Sequence, residues 1–326
     1  MGVFSLFAYL FPSKYWIVIG PLFTLVITYI ALRRQSSKLP SDGGRAFAVD
    51  GASAKGKPTS AGIIFICCMF VGLGLFTRIT IRYAIMYACA LCAAIFGFLD
   101  DKHTWKAMTK ATTDIFVAIG SATLASFLFP RSIHIFTLGL YITIPIPLYI
   151  VLASILVWLS INFTNASDGV DGLCGSLSMI STLTFFLMTI VCKMDSMMNN
   201  VMIYLIAVLG VYLWFNCHPS TMLMGDSGSQ AIGVLLAFFA MATANPFSYI
   251  IICLPLVLDG GSSLFKLATL RATRKKFDPL KKVRTPLHDH CRKEWAWPNQ
   301  KVTERFVLLN VAVEAIYLII LAVRLS

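Results

Sequence analysis

Four short stretches of this chain place acidic, amide and imidazole side chains beside otherwise apolar runs. Asp100 and Asp101 close the run Ala94-Ile95-Phe96-Gly97-Phe98-Leu99. The C-terminal end of a helix disfavours anions, and adjacent carboxylates raise one another's pKa unless a cation neutralises them. A metal ion or a proton-accepting role explains the pair better than a simple helix end does. The second stretch runs from Asn162 to Gly172, with Asn165, Asp168, Gly169, Val170 and Asp171 inside it. One capping Asp satisfies a turn, and this stretch carries four amide or carboxylate groups. A helical start would put Asp168 and Asp171 on one face, and the glycines let backbone approach a phosphate or sugar closely. The third stretch holds Asn216 and then Gly225-Asp226-Ser227-Gly228-Ser229. Asp226 is either the cap of a following helix or one of the one or two carboxylates that Mg²⁺ takes beside phosphate oxygens and water. The fourth, Thr285-Pro286-Leu287-His288-Asp289-His290, lies in a basic segment. No cysteine cluster completes a zinc set there, so imidazole on a substrate phosphate is the better functional reading and a solvated loop the plain one. Lys55, Lys57, Lys102, Lys106 and Lys110 add compact charges suited to phosphate, although the membrane-side charge rule alone would put lysines in such loops.

The elements that must position these groups are membrane spans. The chain has 326 residues, 58% hydrophobic and 13% charged, with a mean hydropathy of +0.78. Soluble domains carry about 25% charge, and disordered chains are poor in apolar residues, so both classes are excluded. The sequence predicts an all-α integral membrane protein, residues 1–326 forming one polytopic domain. Spans of about 20 apolar residues fall at roughly 15–32, 61–77, 82–99, 111–129, 143–161, 172–192, 200–216, 229–245, 247–269 and 305–323. Pro145 and Pro147 disturb the start of the fifth, and a short hairpin is considered at 134–142. The first span, flanked by Arg33 and Arg34 without a small-residue cleavage site, reads as a retained helix and not a signal peptide.

The formal charge of +12 invites nucleic acid as a partner, but its placement argues against one. Twenty of the 27 Lys and Arg lie in 33–60, 100–110 and 270–305, the pattern of cytoplasmic loops. Alternating sides from Arg33 makes 33–60, 100–110, 162–171, 217–228 and 270–304 cytoplasmic. All four chemistry-bearing stretches then share one membrane face. The nine cysteines form no metal or disulfide pattern and read as buried thiols.

The stretches Gly97-Phe98-Leu99-Asp100-Asp101, Asn165 to Gly172 and Gly225 to Ser229 resemble the polyprenyl-phosphate N-acetylhexosamine-1-phosphate transferase superfamily. Together with Thr285 to His290, Trp297-Pro298 and Val302-Thr303-Glu304-Arg305-Phe306, they are similar to its phospho-N-acetylmuramoyl-pentapeptide transferase branch. The likeness runs from about Lys55 to the C-terminus. It implies a Mg²⁺-dependent homodimer of ten helices in the bacterial inner membrane, its site on the cytoplasmic side. The implied reaction joins UDP-MurNAc-pentapeptide to undecaprenyl phosphate, giving UMP and lipid I, and uridine-containing nucleosides are implied as inhibitors. Carried over by motif, Asp226 is the metal ligand, Asp100 the base for the lipid phosphate, and Asp101 and Asp168 complete the acidic site. Lys55, Lys110, Asn165, Gly169, Val170, Asp171, Asn216, His288 and His290 are the implied substrate-binding residues. Asp289 stands where the family has a histidine, Thr104 where it has a lysine, and Gly56-Lys57-Pro58 departs from its glycine-threonine-proline pattern. A sister enzyme moving GlcNAc-1-phosphate is the nearest alternative. A transporter or flippase is the alternative from another class, and it predicts carboxylates at the midplane and not at helix ends.

Overall fold

The computed structural model describes residues 15–44, 54–77, 80–135, 139–194 and 198–325. Among them, ten helices of sixteen residues or more lie where the apolar runs predict spans. They are α1 (Trp16–Gln35), α2 (Ala61–Phe76), α3 (Ile81–His103), α4 (Ala107–Leu128), α5 (Ile146–Ser167), α6 (Leu173–Val191), α7 (Met198–Asn216), α8 (Gly225–Ala242), α10 (Leu254–Ala272) and α12 (Asn299–Leu325). Two short helices, α9 (Ser248–Ile252) and α11 (Leu287–Lys293), complete the set. Among the described residues, seven helices are long and apolar enough to cross a membrane: α1, α3, α4, α5, α6, α7 and α12. Helix α2 is too short by that measure, while α8 opens on Gly-Asp-Ser-Gly-Ser-Gln and α10 carries Asp259, Lys266 and Arg271. With no water in a bilayer, backbone and hydroxyl groups must be satisfied internally. Thr24 and Thr28 accordingly donate to the carbonyls of Gly20 and Thr24, one turn back.

Helix α8 is the axis of the bundle. Every residue from Gly225 to Met241 is buried, and α2, α3, α5 and α6 pack around it. A helix apolar all round belongs in an interior, which is why the all-apolar stretch after Gln230 sits there. Close approach fixes its depth. A Cβ on Gly97 of α3 would stand 2.4 Å from the Asp226 carbonyl carbon, so only glycine lets α3 and the start of α8 meet. Ser160 of α5 donates to the Gly233 carbonyl at 2.6 Å and accepts from Tyr249 at 2.8 Å. At the far end, His134 N donates to the Ala244 carbonyl at 2.7 Å. That residue belongs to an antiparallel hairpin, β1 (Ser132–Ile135) with β2 (Leu140–Thr143), in which Ser132 pairs with Thr143 and Ile135 with Leu140.

Helix ends differ from the sequence reading by several residues in places, and two of the differences have a clear stereochemical reason. The fifth span starts at Ile146 and not 143, because Pro145 takes the cap and Pro147 falls in the first turn, where no N–H is needed. The expected helix over 247–269 is divided at Cys253, since Pro255 cannot donate to the helical ladder and begins a new first turn. Deep in the bundle, Glu314 of α12 is 2% exposed. Its carboxylate accepts from Ser181 at 3.0 Å, Thr184 at 2.5 Å and Asn310 at 3.0 Å, which ties α12 to α6.

Candidate active site

The ends of α3, α5 and α7 and the starts of α4 and α8 meet at one end of the bundle, and there the far-separated polar stretches become one network. Its centre is Asp226, in the first turn of α8. Lys110, in the first turn of α4, forms an ion pair with Asp226 Oδ2, lies 3.3 Å from Asp100 Oδ2 and donates to Asn165 Oδ1 at 3.3 Å. Asn165 Nδ2 completes the ring, donating to Asp226 Oδ1 at 2.7 Å and to Ser229 Oγ at 3.1 Å. Asp114, one turn along α4 from Lys110, is also buried.

The two neighbouring carboxylates of α3 do different work. Asp100 Oδ1 accepts from Trp105 N at 2.9 Å, which closes the helix end, and Oδ2 faces Lys110. Asp101 turns towards α8. It accepts from the backbone of Asp226 at 3.0 Å and of Ser227 at 3.4 Å, and from Ser60 Oγ at 2.6 Å. A carboxylate on the free N–H groups of a helix N-terminus is favourable both as hydrogen bonding and against the helix dipole. Asp101 thereby fixes the first turn of α8, and with it the direction of the Asp226 side chain.

Around this centre lies a second group. The sequence reading put Asp168 and Asp171 on one helical face, but α5 continues to Ser167 and α6 starts only at Leu173, so both lie in the turn between. Asp168 caps α5, with its charge near Cys174 and Tyr212. Asp171 accepts from Ser220 N at 3.1 Å and Ser220 Oγ at 2.7 Å, and pairs with His218 Nδ1 at 2.9 Å. Burial pushes its carboxyl up, but the bonds from Ser220 and His218 prevail and hold it below the usual carboxylate range. Lys57 Nζ reaches Ser220 Oγ at 3.0 Å, whereas Lys55 is exposed. Asn216 accepts from Gly172 N and donates to the Met222 carbonyl, both at 2.9 Å. Its amide braces two turns.

His288 sits on the other side of the 168–172 turn, almost wholly buried. Asp259 of α10 accepts from His288 N and pairs with its Nδ1, both at 2.8 Å. Nε2 thus faces Gly169, where a Cβ would lie 2.6 Å from it. Gly169 is therefore required for contact with the imidazole. Its carbonyl also accepts from Arg292 at 3.2 Å, and Val170 is buried beneath. Asp289 is 3.5 Å from Arg292 and 3.8 Å from His288 Nε2. His290 lies apart, edge-on to Trp295.

Ser60, Asp114, Ser220, His218 and Asp259 join the site without having been predicted from sequence. Asp259 and Asp114 had a legible signal, each being an ionisable residue inside a predicted span.

Among the described residues, no three His, Cys, Asp or Glu side chains form a ready metal-binding group. The donors at the centre nevertheless suit a hard cation: the carboxylates of Asp226 and Asp100 and the amide oxygen of Asn165 all converge on the Lys110 ammonium. Mg²⁺ takes one or two carboxylates and keeps several waters, so a cation in place of that ammonium meets donors of the correct kind.

Residues 83–244 match the model of Glycosyl transferase family 4. The chain is 32% identical to the phospho-N-acetylmuramoyl-pentapeptide-transferase of Treponema pallidum (strain Nichols), over 87% of this chain and 83% of that protein. Proteins of the same name from Borrelia garinii subsp. bavariensis and Clostridioides difficile are each 26% identical, covering 99% and 93% of this chain and 95% and 93% of theirs. The matched region contains Asp100, Lys110, Asn165, Asp171 and Asp226, and the Borrelia garinii relative, matched over 99% of this chain, takes in the basic segment as well. With its buried axial helix, its apolar spans and its acidic centre, the chain belongs to the phospho-N-acetylmuramoyl-pentapeptide-transferase family of multi-pass bacterial membrane proteins.

Proposed function

We propose that this phospho-sugar transferase moves phospho-MurNAc-pentapeptide from UDP-MurNAc-pentapeptide to undecaprenyl phosphate, at the cytoplasmic face and with Mg²⁺. The observation that carries the reading is the convergence of Asp100, Lys110, Asn165 and Asp226, from four separate segments, at the ends of helices. One substrate is water-soluble and the other lipid-bound, so such a reaction needs a site at a membrane boundary. Carboxylates at a bundle end fit that need, whereas a transporter would hold them at the midplane.

In the step proposed, an oxygen of the lipid phosphate attacks the sugar-bound phosphorus of the donor. The new P–O bond forms as the bond to the UMP oxygen breaks, and UMP leaves with that electron pair. A phosphate second pKa is about 6, so the attacking oxygen is ionised at neutral pH and requires no covalent enzyme intermediate. Phosphoryl transfer depends mainly on charge neutralisation and in-line positioning. Bound Mg²⁺ would supply neutralisation of the pyrophosphate charge. Asp226, Asp100 and Asn165 are the residues to hold it, leaving Lys110 to turn towards a phosphate. Asp101 positions the start of α8. Asp171, Gly169 and Val170 form the turn offered to the nucleotide sugar, with His288 beside it and Asn216 bracing it.

Purified protein given undecaprenyl phosphate and either UDP-MurNAc-pentapeptide or UDP-GlcNAc, with UMP as readout, tests the donor. The expected result is Mg²⁺-dependent UMP release from the muramoyl donor. Preference for UDP-GlcNAc would overturn the assignment.

A further inference from the structure

The mechanism above uses the nucleotide, the sugar and the two phosphates, and it leaves a cationic aromatic patch beside the site unused. Trp295 is 54% exposed. Its ring lies 5.0 Å from that of Trp297 and 5.2 Å from that of His290. Between the two tryptophans, Ala296 has φ 50, a left-handed conformation that costs an alanine energy and turns the chain so that both rings are neighbours. Arg305 stacks on Trp297 with its guanidinium carbon 4.2 Å from the ring centroid, and the Lys301 ammonium is 5.4 Å from the same centroid. Lys301 and Arg305 are one turn apart near the start of α12. Among the described residues, neither has a carboxylate within ion-pair distance, and the adjacent Glu304 bonds instead to Gln300.

The patch is fastened to the donor turn. Thr303, between the two cations, donates to the Asp171 carbonyl at 2.9 Å, and Arg292, just before the tryptophans, donates to the Gly169 carbonyl. A guanidinium stacked on an indole keeps its in-plane N–H groups free, and those groups match a carboxylate in bidentate fashion. An exposed ring beside it offers a flat surface for peptide groups.

We propose that Trp295, Trp297, Lys301 and Arg305 form the subsite for the peptide arm of the donor and bind its free carboxylate. This rests on the proposed function, since a pentapeptide joined through its N-terminus to the muramoyl group necessarily carries a C-terminal carboxylate. Tryptophan and basic side chains also anchor proteins at membrane interfaces. Anchoring does not need the cations to be stacked on an indole or the segment to be bonded to the donor turn.

The test compares two donors: UDP-MurNAc-pentapeptide, and the same molecule with every peptide carboxylate converted to a carboxamide. For the unaltered protein, kcat/KM for UMP release is expected to fall about tenfold on amidation, the equivalent of 1.4 kcal/mol, mostly through KM. In the double variant K301Q/R305Q the two donors should be used equally, at the lower level. Equal use of both donors by the unaltered protein overturns the proposal without any need for the variant to fold. So does a double variant that keeps the tenfold preference, or one that changes only vesicle association. No UMP from either muramoyl donor, together with turnover of UDP-GlcNAc, would instead mark failure of the proposed function itself.

Discussion

Replacing Lys110 by methionine keeps the aliphatic stem and removes the ammonium that faces Asp226, Asp100 and Asn165. Two carboxylates with side chains only 7% and 11% exposed then face each other without a cation. Removing one partner of a fully buried pair costs about 3–5 kcal/mol. Lys110 is 30% exposed, so water relieves part of this, and a loss of about 2–3 kcal/mol is expected. At roughly 2–4 °C per kcal/mol, the unfolding temperature of Lys110→Met in chelator should fall by about 4–12 °C. Mg²⁺ should restore most of it, because an ion present at 100 times its dissociation constant stabilises by about 2.7 kcal/mol. The unaltered protein should gain less, since the ion must first displace the ammonium. Thermal unfolding in detergent across a Mg²⁺ series measures both curves. A variant as stable as the parent in chelator, or equal Mg²⁺ shifts in the two proteins, would refute the idea that one position serves ammonium and metal in turn.

Three further outcomes follow from the same geometry. Gly97→Ala puts a methyl 2.4 Å from the Asp226 backbone and should cost at least about 1–3 kcal/mol along with most UMP release; Gly210→Ala, whose Cβ meets nothing within 4 Å, is the control and should keep both. Asp259→Asn removes the carboxylate partner of His288 Nδ1, a bond of about 1.5–3 kcal/mol, and should lower kcat/KM for UMP release tenfold or more. Asp171 is held below its ordinary value of 3.8, so its stabilising effect is complete above that pH and disappears as pH falls through the lower folded value. Asp171→Asn should therefore flatten the acid side of a stability-against-pH curve while lowering stability at pH 7.

The positions of the ten long helices could be read from hydropathy, because a run of about 20 apolar residues constrains a segment on its own. The motifs Asp100-Asp101, Asn165 to Gly172 and Asp226 could be read as well, since polar residues of that kind between apolar runs need a reason. Orientation within the motifs could not. Asp100 and Asp101 are neighbours in sequence, yet a helix turns about 100° per residue, so one faces Lys110 and the other the start of α8. Asn216 carries the correct chemistry for a ligand but has both amide atoms engaged by turns that only the tertiary fold brings near. Lys55 and Lys57 look alike in sequence, and only packing against the 217–224 turn selects Lys57. Ser60 and Ser220 carry no signal at all, because serine is common and its role here depends on a partner 41 or 49 residues away.

The acidic residues illustrate how one charge can be made to serve another. Asp226 lies at a helix N-terminus, where the free N–H groups themselves attract anions. Left alone, that terminus would draw in the Asp226 carboxylate as a local cap, and α8 indeed shows no side-chain cap of its own. Asp101 fills the place instead, taking the N–H groups of Asp226 and Ser227. With its own backbone occupied by a neighbour, the Asp226 carboxylate is free to point outward to Lys110 and Asn165. The pair of aspartates on α3 thus has a physical reason to be a pair: Asp101 reserves the helix end, and Asp100 shares the cation that Asp226 is then able to hold.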